Sequence, residues 1–157
     1  MSVDVVHEKD MMVRRALLID DDYDMRSALA DALDLFGWEA YATASIEEAR
    51  HVLEAWRPNV LLLDLHGSGD AASLARSAAA DGVSIVLVSG SSADYLARAR
   101  QELRAAGVLT KPFALQTLRT LLAAVPSDRT VPPETAGPRS LGEHRLSAPP
   151  RGPAAAS

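Results

Sequence analysis

Short, nearly continuous apolar runs alternate along this chain with longer stretches in which apolar positions recur every three or four residues. The runs are Ala16-Leu17-Leu18-Ile19, Val60-Leu61-Leu62-Leu63, Ile85-Val86-Leu87-Val88 and Val108-Leu109, with a shorter one over Trp38 to Ala42. Runs of this length, without a polar alternate position, read as strands buried on both faces, the signature of a parallel sheet. Between them the spacing predicts helices. The first starts near Asp24, with Met25, Ala28, Leu29, Ala32, Leu33 and Phe36 as its apolar stripe and Gly37 in the place of a C-terminal cap. Ser45-Ile46-Glu47-Glu48 reads as a capping box opening a helix to about Trp56, and Pro58 closes the connection. After a turn at His66-Gly67-Ser68-Gly69, an Ala-rich helix runs from about Asp70 to Ala80, and Asp81-Gly82 introduces the fourth strand. Ser91 or Ser92 caps a helix to about Ala105, Gly107 precedes the fifth strand, and a last helix covers about Ala114 to Ala124. Strands and helices in strict alternation predict an α/β chain with a doubly wound parallel sheet.

The residues that end these runs are all polar. The first strand, about Arg15 to Ile19, leads into Asp20-Asp21-Asp22. The third ends on Asp64, the fourth on Ser89, and the fifth on Thr110-Lys111-Pro112. In open α/β sheets ligands sit in the crevice beyond the carboxyl ends of the strands, so acids, a hydroxyl and an amine are predicted to share one edge.

Composition narrows the possible chemistry. The chain has 157 residues and no cysteine, which excludes disulfides and thiolate metal sites, and its net charge of −5 gives no footprint for nucleic acid. No apolar segment approaches the ~20 residues of a membrane span, and no secretory signal pattern is present at the start, so a cytoplasmic location is expected. Of the 16 basic residues, Lys9 and Lys111 are the only lysines, the rest being arginine. A lysine is a compact point charge rather than a rigid fork, and Lys111 is the only one in the folded region. Three segments are expected: a flexible N-terminal extension over 1–13, a folded domain over 14–125 and a Pro-rich disordered tail over 126–157. The tail holds seven of the nine prolines and too few large apolar residues to offset its ordering entropy. So proline-rich a stretch has no room for a helix-turn-helix, and no DNA-binding output domain is expected.

Three adjacent acids after a buried strand become useful if they hold a hard cation. Mg²⁺ prefers oxygen ligands, keeps several waters and takes one or two carboxylates, which Asp20 or Asp21 with Asp64 would supply. Asp22 is expected to face solvent and favour the next helix through its dipole. Taken alone, the Asp20–Asp22 run reads equally well as helix-leading acids, Ser89 as a turn residue and Lys111 as a solvated cation. Asp64 is harder to explain as structure, because a carboxylate between Leu63 and Leu65 needs a partner to stay ionised. It can also act as a nucleophile toward phosphorus, with Ser89 donating to a phosphoryl oxygen and Lys111 neutralising its charge.

The stretches Leu18-Ile19-Asp20-Asp21-Asp22 with Met25-Arg26, Leu62-Leu63-Asp64-Leu65, Val88-Ser89-Gly90 and Thr110-Lys111-Pro112-Phe113 resemble the receiver domain of bacterial two-component response regulators, over about Arg14 to Val125. The resemblance implies a flavodoxin-like five-stranded parallel sheet in the order 2-1-3-4-5 with five helices. It also implies Asp64 as phospho-acceptor, and Mg²⁺ held by Asp20, Asp21, Asp64 and the backbone carbonyl of His66. Ser89 would be the switch hydroxyl, Lys111 the phosphoryl contact, and the Lys111-Pro112 peptide cis. The implied partners are a histidine kinase or phosphotransfer protein and a downstream target protein that reads the face of the fourth helix, fifth strand and fifth helix.

The chain departs from that pattern in places. Leu65-His66-Gly67-Ser68-Gly69-Asp70 lacks the family's usual proline, the interval from Asp64 to Ser89 is shorter than usual, and Val108 stands where many relatives carry a switch aromatic. Gly90 leaves the site without a shielding side chain, and His66, close to where water would attack, is a candidate for tuning dephosphorylation. His7, His51 and His144 have no ligand spacing, and no zinc site is expected. The expected function is a stand-alone phosphorylated switch, not an enzyme beyond its own phosphorylation and dephosphorylation. The alternatives are a phosphate-independent interaction module and an aspartate-nucleophile phosphatase of the haloacid-dehalogenase type, suggested by Asp64-Leu65-His66-Gly67-Ser68.

Overall fold

A computed structural model describes residues 13–65 and 69–126. Five strands, β1 (Arg15–Ile19), β2 (Glu39–Thr43), β3 (Val60–Asp64), β4 (Ser84–Ser89) and β5 (Gly107–Thr110), alternate with five helices. These are α1 (Tyr23–Leu35), α2 (Ile46–Trp56), α3 (Gly69–Ala80), α4 (Ala93–Leu103) and α5 (Leu115–Ala123). The strands are parallel throughout, in the order β2-β1-β3-β4-β5.

Alternation along each strand sends its side chains to two separate cores. Leu17, Leu61, Leu63, Ile85 and Leu87 pack under α2, α3 and α4 with Val52, Trp56 and Leu74. Leu18, Val60, Leu62, Val86 and Val88 pack on the other face under α1 and α5 with Leu29, Leu33, Leu118 and Leu122. Both faces of the central strands are therefore covered, which is why their sequences are continuously apolar. Truncating a residue such as Leu62, fully buried at the sheet centre, to alanine costs about 2–5 kcal/mol.

Local chemistry sets the boundaries, and several differ from expectation. Gly37 takes φ 90° after α1, and the Trp38 amide donates to the Leu33 carbonyl. That cap bond occupies Trp38, so β2 starts at Glu39 and ends at Thr43 rather than spanning 38 to 42. On α1 Ala30 is buried along with Ala32, and Ala28 of the expected stripe is exposed. Ser92, not Ser91, caps α4. That helix stops at Leu103 instead of Ala105, because Arg104 turns left-handed at φ 55° and the Ala105 amide returns to the Arg100 carbonyl. Gly107 belongs to β5 rather than preceding it. A Cβ there would lie 2.6 Å from Leu121 Cδ2, so α5 packs directly over the glycine. Half of the Ser45–Glu48 capping box forms. Ser45 Oγ accepts from the Glu48 amide, but the Glu48 carboxylate accepts from the Tyr41 and Thr43 hydroxyls, and the Ser45 amide donates to Thr43 Oγ1. Among the described residues, no helix is long and apolar enough to cross a membrane.

Candidate functional site

Parallel pairing decides which residues meet. Ile19 is level with Leu63 and with Thr43, so Asp20 follows β1 at the height at which Asp64 closes β3. Ser89 is level with Thr110, and the Lys111 amide donates to the Ser89 carbonyl at 2.9 Å, fixing the start of the loop after β5. The Lys111-Pro112 peptide is cis, as the resemblance implied. Lys111 thus enters the edge from beyond β4, Asp64 from the central strand and Asp20 from its other side.

Asp20 and Asp64 are buried, at 2% and 8% exposure, a setting in which a lone carboxylate would be costly. Lys111 Nζ lies 3.2 Å from Asp20 Oδ2 and 3.2 Å from Asp64 Oδ2, bridging both. Burial of the ammonium lowers its proton affinity, but hydrogen bonds to Asp20 and Asp64 and their charges outweigh this and hold Lys111 above the ordinary lysine value. Asp21, exposed at the rim, brings a third carboxylate. One oxygen from each of Asp20, Asp21 and Asp64 lies within 4.8 Å of the others. Three carboxylates against one ammonium leave an excess of negative charge in an all-oxygen donor set, which suits a hard divalent cation.

Further contacts hold Asp20 in place. Its Oδ1 accepts from the Asp22 amide at 2.9 Å, its carbonyl accepts from Arg26 Nη1 at 2.7 Å, and its amide donates to the Thr43 carbonyl at 3.2 Å. Asp22 itself caps α1 by accepting from the Met25 amide, in line with its expected place at the helix start. Arg26 and Thr43 carry no such role in the sequence reading. Thr43 is visible only through the strand register, and Arg26 only through the folding of α1 back onto the turn.

Ser89 sits at the same edge but its hydroxyl is engaged in its own loop. It donates to Ser91 Oγ at 3.0 Å and accepts from the Ser91 amide at 3.1 Å. A Cβ built on neighbouring Gly90 meets nothing within 4 Å, so that side of the loop is open. His66, whose carbonyl was expected among the ligands, lies outside the described residues, as do Gly67 and Ser68.

Comparison with known proteins agrees with this arrangement. Among curated protein sequences nothing matches. Of the solved structures, the chemotaxis protein CheY4 of Vibrio cholerae superposes with a TM-score of 0.65 at 20% identity, covering 73% of this chain and 99% of that one. A response regulator receiver protein from Burkholderia phymatum gives 0.62 at 24% identity, covering 72% and 98%. A CheY-like receiver domain from Methylobacillus flagellatus gives 0.64 at 21%, covering 73% and 99%. At these identities the likeness is one of fold. The family model of the response regulator receiver domain matches residues 16–123. That span runs from the first strand to the end of the last helix and takes in the whole acidic edge, and the chain accordingly belongs to the response regulator receiver domain family.

Proposed function

We propose that this receiver domain works as a phosphorylated switch, with Asp64 as the phospho-acceptor and a histidine kinase or phosphotransfer protein as donor. The observation that carries the reading is the single ammonium of Lys111 shared between the buried carboxylates of Asp20 and Asp64. An Asp64 oxygen attacks the phosphorus of a phosphohistidine in line. The P–N bond breaks, its electron pair stays on the imidazole nitrogen, and Asp64 becomes an acyl phosphate. Lys111 then exchanges its carboxylate contact on Asp64 for the phosphoryl oxygens, where its charge is needed most. Ser89 leaves Ser91 and donates its hydroxyl proton to a phosphoryl oxygen. Asp20, Asp21 and Asp64 are the residues that would hold Mg²⁺, with the His66 carbonyl as the further ligand the resemblance implies; when bound, the ion would supply positive charge against the transferring oxygens.

The new charge on Asp64 biases the loop that carries Ser89, and a partner protein reads the altered surface. Water finally hydrolyses the acyl phosphate and resets the domain, with no turnover of an external substrate.

A second reading, a phosphate-independent interaction module, draws on the Ser89–Ser91 hydrogen bond and on Val108 in place of the switch aromatic. Intact-mass spectrometry after incubation with acetyl phosphate, with and without Mg²⁺, separates the two. The phospho-switch gives one phosphate-mass adduct that needs Mg²⁺ and is absent from Asp64→Ala. An unmodified mass under conditions in which Mg²⁺ binding is verified supports the module.

A further inference from the structure

The three acids that follow β1 are not held alike. Both carboxylate oxygens of Asp20 are engaged, Oδ1 by the Asp22 amide and Oδ2 by Lys111, and Asp22 caps α1. Asp21 is exposed, and its carboxylate has no hydrogen bond or ion pair among the described residues. Its place within 4.8 Å of the Asp20 and Asp64 oxygens therefore depends on the backbone on either side of it. Arg26 holds that backbone at both ends. Its amide donates to the Asp22 carbonyl at 2.9 Å and its Nη1 to the Asp20 carbonyl at 2.7 Å, so one residue of α1 brackets Asp21. The helix does not account for the guanidinium. Arg26 lies near the N-terminal end of α1, where the dipole disfavours a cation, and the last turn, where one is favoured, has no basic residue. Asp20, Asp21, Asp22 and Asp24 are close in sequence, yet among the described residues the guanidinium meets a backbone carbonyl and, at 5.4 Å, the Tyr23 ring. That ring, three residues back on the same helix, limits the freedom of the side chain.

We propose that Arg26 is a positioning residue for the acidic edge: by holding the Asp20 carbonyl it fixes the peptide that carries Asp21, and so sets how tightly the three carboxylates bind a divalent cation. The proposal rests on the Mg²⁺ reading of that edge and is independent of whether Asp64 accepts a phosphoryl group. Charge and geometry predict opposite effects for this residue. A guanidinium beside the acids repels Mg²⁺, so by Coulomb's law alone its removal tightens binding. A donor that holds the turn does the reverse, because without it the Asp20–Asp21 peptide is free to rotate and the exposed carboxylate must be ordered when the ion binds. The second effect wins here, since the repulsion acts through solvent at the rim while the hydrogen bond is short and charge-assisted.

The test is a Mg²⁺ titration of the ¹⁵N-labelled full chain, following the amides of Asp20, Asp21, Asp22 and Asp64 by NMR. Arg26→Met keeps a long side chain that suits a helix but loses the donor and the charge. It should bind Mg²⁺ about tenfold more weakly than the parent, the low end for a group that orients ligands without touching the metal. Arg26→Lys, which can still donate to the carbonyl, should lose less. Arg119→Met removes the same charge from α5, where the guanidinium stacks over Phe36, and should leave the affinity unchanged. The spectra confirm that each variant folds, and Arg26→Ala serves in place of Arg26→Met if the latter unfolds. A residue that only supports the fold would lower the urea midpoint and leave the Mg²⁺ affinity of the folded chain as it was. Unchanged or tighter binding in Arg26→Met, or equal weakening in Arg119→Met, overturns the proposal. A parent chain whose amides do not respond to Mg²⁺ overturns the cation reading itself, and the proposal with it.

Discussion

Lys111 Nζ stands 3.2 Å from Oδ2 of both Asp20 and Asp64, so one amine at the end of β5 neutralises carboxylates that arrive from β1 and β3. Those residues lie 91 and 47 positions away in the chain, and only the parallel sheet brings them together. Removing the amine while keeping the acids takes a counter-ion away from two buried carboxylates. Lys111→Met should destabilise the metal-free chain by about 3 kcal/mol, the low end for a broken buried pair because the lysine is partly exposed. Urea unfolding checks this. Adding Asp20→Asn to Lys111→Met should return part of the loss, since the two changes share one contact.

Magnesium should act on the same cluster by mass action. A ligand that binds only the folded chain adds about 2.7 kcal/mol at a hundred times its dissociation constant. Thermal unfolding of the chain should therefore move upward with added Mg²⁺, and the shift should vanish in Asp21→Ala, whose exposed side chain has no part in the core. Lys111→Met should show a larger Mg²⁺ response than the parent, because the cation replaces the missing ammonium.

In the proposed switch, the missing side chain at Gly90 would leave the phosphoryl group open to water. A Cβ at this position meets nothing within 4 Å, so Gly90→Val places bulk beside Ser89 from an open site. The acyl phosphate of this variant should survive several-fold longer, measured as decay of the phosphate-mass adduct. His66→Ala tests whether the histidine tunes the same lifetime: a half-life that loses its dependence on pH between about 6 and 8 assigns it a part in hydrolysis, and an unchanged half-life assigns it none.

Tyr41 gives a prediction at alkaline pH. Burial, first, and then the hydrogen bond and charge of Glu48 push its phenol well above the ordinary tyrosine value. Of the three tyrosines, Tyr23 and Tyr95 are exposed and Tyr41 is buried. Ultraviolet difference titration should show one phenol that stays protonated well above the ordinary tyrosine range and ionises only as the chain unfolds. The sign of the stability change follows. Between the unfolded and folded values the native state holds a proton that the unfolded state has lost, so stability falls as pH rises above ~10. Lys111, also raised in the native state, adds to the same alkaline loss and leaves neutral pH unaffected.

Much of this was legible in the sequence, for a physical reason. Strands buried on both faces must be apolar along their whole length, so a polar residue at the end of Leu61-Leu62-Leu63 marks both the strand end and the ligand edge. That is why Asp20, Asp64, Ser89 and Lys111 could be placed at one sheet edge in advance; the order β2-β1-β3-β4-β5 agrees with what the resemblance implied. Contacts made through the backbone left no such mark. The Thr43 carbonyl that receives the Asp20 amide depends on register rather than residue type, and Arg104 gives no hint of a left-handed turn, a position where glycine is usual. Glu48 fitted a capping pattern equally well whether it bonded to Ser45 or further back to Tyr41 and Thr43, and only the packed β2–α2 corner decides between them.

The central claim is that Asp64, among the 21 acidic residues of the chain, is the one that takes the phosphoryl group. Borohydride reduces an aspartyl phosphate to homoserine, which marks the position permanently. After incubation with acetyl phosphate and Mg²⁺, reduction and proteolysis, peptide mass spectrometry should find homoserine at position 64 alone. Homoserine at Asp20, Asp21 or another acid, or none at all while Mg²⁺ is bound, would contradict the account.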